Sequence, residues 1–166
     1  MKTSLFLILL LATPLSTYAK EASLPKNYKS AYTEYLSLDR VQNPDQFIKL
    51  YANDIAMNGK NESGELPEGS ILVAEVYSVH KDAKGKVKTS RLNRRIPKEP
   101  ILLAVMEKNS RYINDASSLI QTGSWGFGAY KPNGENANKD LNTCRGCHMP
   151  LKENDFLFSI EHIGIK

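Results

Sequence analysis

Two cysteines and a histidine carry the most specific chemistry in this chain: Cys144-Arg145-Gly146-Cys147-His148, with no further cysteine in 166 residues. Two thiols three positions apart can add across the vinyl groups of a haem, and the adjoining imidazole can supply an axial nitrogen to the iron. The same pair could instead form a redox disulfide or half of a zinc site. Zinc lacks ligands, because there is no second cysteine pair and the other histidines, His80 and His162, are isolated. A thioredoxin-type disulfide is expected at the start of a helix after an early strand, whereas this motif stands late in the chain. The spacing therefore predicts one covalently attached haem c, with thioethers from Cys144 and Cys147 and with His148 as the proximal ligand of the iron.

The elements that must position this motif are read from apolar periodicity. Met1-Lys2, the apolar run Leu5–Ala12, Pro14 and the small-residue pattern Thr17-Tyr18-Ala19 predict a signal peptide over residues 1–19, cleaved after Ala19. Its apolar run is shorter than the roughly 20 residues that span a bilayer. Residues 20–166 are then expected to form a single domain, exported to the periplasm and free of the membrane after cleavage. The formal net charge of +4, lowered by one with the loss of Lys2, is too small to suggest nucleic acid as a partner.

Along the chain, Tyr28, Ala31, Tyr32, Tyr35 and Leu36 recur at helical spacing and predict an amphipathic helix. Phe47–Ala52 reads as a strand, and Asn53-Asp54 as the cap of a short helix that ends at Asn58-Gly59. Ile71–Val79 is the clearest strand, apolar on both sides and thus expected at the centre of a sheet. The basic stretch from His80 to Pro100 reads as an exposed hairpin connection whose cations could pair with haem propionates or with an acidic redox partner. Ile101–Met106 is expected to pair antiparallel with Ile71–Val79. Tyr112, Ile113, Ala116, Leu119 and Ile120 predict a second helix, closed by Gly123. Ser124–Tyr130 alternates large with small, so its glycine face should meet something bulky, a haem or a close-packed helix. A polar loop over Lys131–Thr143 delivers the haem motif, and Phe156–Ile160 reads as a short strand or buried segment.

Met149 adjoins His148 and cannot reach the opposite side of the same iron. Met57 and Met106 fall in expected core elements, so a five-coordinate iron with an open distal side is the expected state. Four long helical periods are missing, which argues against a four-helix bundle.

Several runs together are similar to the cytochrome P-460 family, whose relatives include the β-sheet cytochromes c′, called c′-beta. They are Leu50-Tyr51-Ala52-Asn53-Asp54, the stretch Gly64–Val73, Trp125-Gly126-Phe127, and Cys144–His148 followed by Asp155, Phe156 and Phe158. The resemblance covers most of residues 25–163. It implies an α+β fold, an antiparallel β-sheet flanked by short helices, usually as a homodimer, with c-type haem on a proximal histidine. Within the family, P-460 proteins proper oxidise hydroxylamine and nitric oxide, using a lysine cross-linked to the haem and a distal acid. The c′-beta members lack both and bind NO or CO in an apolar pocket.

Setting Glu65–Gly69 against the matching family stretch places Ala74 where the cross-linking lysine is expected. Counting back from Arg111-Tyr112 places Leu103 where the acid is expected. A slip of one residue would substitute Glu75, and no lysine lies between Lys60 and Lys81. The resemblance thus implies a distal pocket of Leu72, Ala74 and Leu103 with a phenylalanine, Phe47 or Phe127 foremost and Phe156 or Phe158 as alternatives. The expected function is a gas-binding haem protein for NO and CO, closer to the c′-beta branch, with an electron-transfer protein of the periplasm as a further partner. Oxidation of hydroxylamine or NO is the enzymatic alternative. Simple electron transfer, with His80, His162 or a methionine closing the sixth position, is the third.

Overall fold

Ile71–Val79, the stretch apolar on both sides, is the middle strand of a five-stranded antiparallel sheet. The computed structural model describes residues 20–115 and 118–165, so the expected signal peptide lies outside the described residues. The strands β1 (Thr33–Asp39), β2 (Gln46–Ala52), β3 (Ile71–Val79), β4 (Pro97–Lys108) and β5 (Trp125–Tyr130) lie side by side in sequence order. The helices are short: α1 (Tyr28–Ala31), α2 (Asp54–Gly59) and α3 (Leu141–His148), with 3-10 turns at Ser110–Tyr112, Met149–Asn154 and Ile160–His162. The architecture is α+β, and no described helix is long and apolar enough to cross a membrane.

Register decides which side chains share a face, because alternate residues of a strand point to opposite sides. The pairings align Leu36, Leu50, Ala74, Ala104 and Ala129 in one row across all five strands. The neighbouring row on that face is Ala52, Leu72, Met106 and Phe127, and it is buried under Leu157, Ile160 and Ile163 of the C-terminal segment. Tyr35 reaches the same segment through a 2.9 Å hydrogen bond with Ser159. The opposite face packs Tyr51, Val73, Leu103 and Val105 against Ala22, Tyr28 and Tyr112.

Three expected elements differ. The predicted helix over Tyr28–Leu36 is a single turn, α1, followed by β1. A bulge between Glu34 and Leu36 inserts Tyr35 as an extra residue, so Tyr35 and Leu36 imitate helical spacing within a strand. The predicted helix from Tyr112 to Ile120 is a 3-10 turn and then bends, with Ala116 and Ser117 outside the described residues. Asn114 there is left-handed (φ 53°), and of the apolar set Tyr112 is buried while Ile113 and Leu119 are exposed. Phe156–Ile160 forms turns rather than a strand, although Leu157 and Ile160 are buried. The glycines of β5 are covered by the 3-10 turn and by the N-terminal segment. A Cβ on Gly126 would run into the Tyr112 ring, and one on Gly128 into the backbone of Ala22.

The face away from α3 holds a buried carboxylate. Glu75, 1% exposed, accepts from the hydroxyls of Tyr28 (2.5 Å), Tyr77 (2.5 Å) and Tyr51 (3.3 Å) and pairs with Lys29 at 2.7 Å. Burial alone would raise its pKa, but the bonds from Lys29, Tyr28 and Tyr77 outweigh it and hold it below the usual range. A depressed folded pKa stabilises the fold above the unfolded value of about 4.3, and that contribution is lost as pH falls through the folded value. Replacing Glu75 by Gln should flatten the acid side of the stability–pH curve measured by urea denaturation. An unchanged acid slope would contradict this.

Candidate haem-binding site

The haem motif is the body of α3. Asp140 caps its first turn by accepting from the Asn142 N–H at 2.9 Å. Leu141 and Arg145, both buried and four residues apart, pack the helix on the sheet, with the Arg145 guanidinium 5.7 Å from the Phe127 ring centroid. Cys144, Cys147 and His148 stand at i, i+3 and i+4, so one side of the helix carries all three. Both thiols are free; Cys144 is partly buried and Cys147 exposed. Burial raises the pKa of Cys144 against the opposing charges of Arg145 and Arg40.

The imidazole is held in one tautomer. His148 Nδ1 lies 2.7 Å from the carbonyl oxygen of Phe156, which can only accept, so Nδ1 carries the proton and Nε2 keeps its lone pair. Burial lowers the His148 pKa, the Phe156 carbonyl opposes this, and the positive charge of Arg40 lowers it further. A neutral ring with a bare Nε2 is the form that binds iron. Phe127 and Phe158 flank it edge-on, with centroids at 5.3 and 5.0 Å.

Asp155 fixes the carbonyl that orients the ring. Its buried carboxylate accepts from the Leu66 N–H (2.9 Å), from Lys108 Nζ (2.8 Å to each oxygen) and from Trp125 Nε1 (3.1 Å). Asp155 and Phe156 are both left-handed, with φ of 50° and 61°, a conformation that costs free energy outside glycine and persists where surroundings enforce it. The tail after α3 is thus clamped to β4, β5 and the Leu66 loop.

Opposite α3, the sheet offers an apolar bed. Ala74 and Ala104 sit on inner strands yet remain partly exposed on this face, as do Leu36, Leu50 and Leu102. Ala74 and Ala104, small and partly exposed, offer an apolar surface against which a planar macrocycle could lie, so the residues present fit a haem. Cys144, Cys147 and His148 would hold it.

Of the five residues expected around the distal side, the structure brings only Ala74 into the open bed. Leu72 shares its face but is buried in the covered row. Leu103 and Phe47 point to the other side, Leu103 among Val73 and Val105 and Phe47 against Tyr77 at 6.4 Å. Leu103 pairs with Glu75, and Phe47 with Tyr77, so strand parity turns both away from the bed. Phe127 packs against the His148 ring itself. The side chains that the sequence did not assign are Asp155 as clamp, Leu50 and Ala104 in the bed, and Arg40 at its end. Among these, Asp155 had a signal, since it belongs to the run that resembles the family.

Comparison with known proteins bears on the same residues. No match was found among curated proteins. The family model described as Cytochrome P460 matches residues 25–159, a span that takes in the whole sheet, the haem motif and the Asp155 clamp. A haem-fitting bed, a tautomer-fixed histidine and a family match across both assign this chain to the cytochrome P460 family, and it is a haem protein.

Proposed function

We propose that the protein is an exported c-type haem protein that binds NO and CO at a five-coordinate iron, in the manner of the c′-beta branch, and serves NO scavenging, sensing or shuttling. Cys144, Cys147 and His148 would hold one haem, whose iron would take up the diatomic molecule. The chain's own part is to present Nε2 of His148 to the iron and an apolar face, Ala74 and Ala104 with Leu50 and Leu102, to the macrocycle.

The observation that carries this reading is the chemistry of the bed. The α3-facing positions of β3 are Leu72, Ala74 and Val76, and Glu75 between them faces away into its tyrosine cluster. Lysine to cross-link a haem is thus missing from this strand, and the Tyr35 hydroxyl on this face is bonded to Ser159. Lys108 is bonded to Asp155, and Arg40 to Gln46. A site without a general base supports proton-coupled oxidation of hydroxylamine poorly. Without a donor over the bound gas, it also favours NO and CO over O₂, whose bound form gains from one.

His80 and His162 are exposed, and Met149 is 48% exposed beside His148, so none of these three offers a buried ligand for the sixth position. Residues 1–19 direct the chain to the periplasm, where the mature protein is a homodimer that exchanges electrons with a periplasmic partner.

Titrating the ferrous protein with CO and with NO tests the reading, together with an assay of hydroxylamine oxidation against an electron acceptor. Saturable binding of both gases with no turnover is expected. Sustained hydroxylamine oxidation, or failure to bind either gas, would overturn it.

A further inference from the structure

Arg40 stands where β1 turns into β2, and its surroundings are unusual for an arginine. Its N–H donates to the Gln46 carbonyl at 3.2 Å, continuing the β1–β2 ladder by one pair. Alternation then puts the Arg40 and Gln46 side chains on the face of Leu38 and Ile48, the face that carries the bed. The turn is rigid: Arg95 Nη1 donates to the carbonyls of Arg40, Asn43 and Gln46 at 2.8, 3.0 and 2.8 Å. The guanidinium is partly buried, and its hydrogen bond to a side chain goes to the neutral Gln46 carboxamide (Nη1 to Oε1, 2.5 Å). No carboxylate pairs with it among the described residues.

A partly buried cation facing an apolar surface is costly without an anion. The planar fork of arginine suits a carboxylate, which it can grip with two parallel N–H bonds. Haem carries two carboxylates, on the pyrroles across the ring from the vinyl-bearing ones. Cys144 and Cys147 would hold the vinyl side at α3, which packs on β5 at one edge of the sheet, so the propionates would lie away from α3, towards the strands at the other edge. Arg40 belongs to that edge, at the end of β1 and on the face of the bed.

We propose that Arg40, steadied by Gln46 and by the Arg95-pinned turn, is the anchor of a haem propionate. This rests on the haem reading above. A neutral diatomic ligand would not balance the guanidinium, whereas a propionate does so permanently. The arginine is a binding residue for the cofactor, and the basic connection after β3 contributes Arg95 to its support.

The test uses the holo-protein and the variants Arg40→Leu and Arg40→Lys, read by resonance Raman and redox titration. In Arg40→Leu the propionate bending band should move to lower frequency, and the midpoint potential should fall, because losing a nearby positive charge favours the ferric state. The C–O stretch of the ferrous CO adduct should stay in place, and Arg40→Lys should retain part of the potential. Should Arg40→Leu fail to load haem, Arg40→Gln is read for the same bands. An unchanged propionate band and potential would overturn the proposal, as would a shifted C–O stretch with an unchanged propionate band, which would place Arg40 over the bound gas. Failure of the haem reading itself is distinguishable, because the denatured wild-type protein would then show no haem absorbance, either bound to the chain or released from it.

Discussion

Replacing His148 by alanine should leave haem attached at Cys144 and Cys147 and remove the endogenous axial nitrogen. The ferrous spectrum should change completely, and added imidazole should restore it. The structure gives the reason: the ring is fixed by Phe156 at 2.7 Å and by two flanking phenylalanines, and the other histidines, His80 and His162, are exposed. Losing an outer-shell partner of a metal ligand costs about 10–100-fold in affinity or activity, and losing the ligand should exceed that in the affinity for CO. The check is CO titration with and without imidazole, and a variant that keeps wild-type spectrum and affinity would exclude His148 as the ligand.

The second large effect is expected at Asp155, whose variants should unfold earlier and should also disturb the iron ligand. Asp155→Ala strands a Lys108 side chain only 14% exposed, together with the Trp125 indole N–H and the Leu66 amide. Breaking a buried charge pair in this way costs about 3–5 kcal/mol. Asp155→Asn keeps a residue tolerant of the left-handed backbone and an acceptor oxygen, and should cost less, about 1–3 kcal/mol. Because Phe156, the next residue, supplies the carbonyl for Nδ1, the iron–histidine stretching band of the ferrous protein should shift in both variants. Urea denaturation and resonance Raman measure the two effects. A large loss of stability with an unmoved iron–histidine band would show that the clamp does not orient His148.

What the sequence made legible was what depends on neighbouring residues. Alternation over Ile71–Val79, the β-rich run Phe47–Ala52, and the cap at Asn53 are local signals, and β3, β2 and α2 follow them closely. The haem motif is local too, since its spacing alone puts three groups on one side of a helix. Facing was not local. Leu103 and Phe47 differ from Ala74 by strand parity, which depends on pairing between distant segments and on the bulges between Val76 and Val79. The bulge at Tyr35 hid β1 behind helical spacing, and the turn residues Asn114 and Asp115 ended a helix that apolar spacing had suggested. Arg40 gave no sequence signal, because its importance comes from a hairpin end that shares the face of the bed.

The most direct test of the central claim is the optical spectrum of the purified ferrous protein before any ligand is added. A five-coordinate, high-spin spectrum with a Soret band typical of unmodified c-type haem, converted by CO to a six-coordinate adduct, is the predicted result. A low-spin six-coordinate spectrum, or the red-shifted Soret band of a lysine-cross-linked haem, would contradict it.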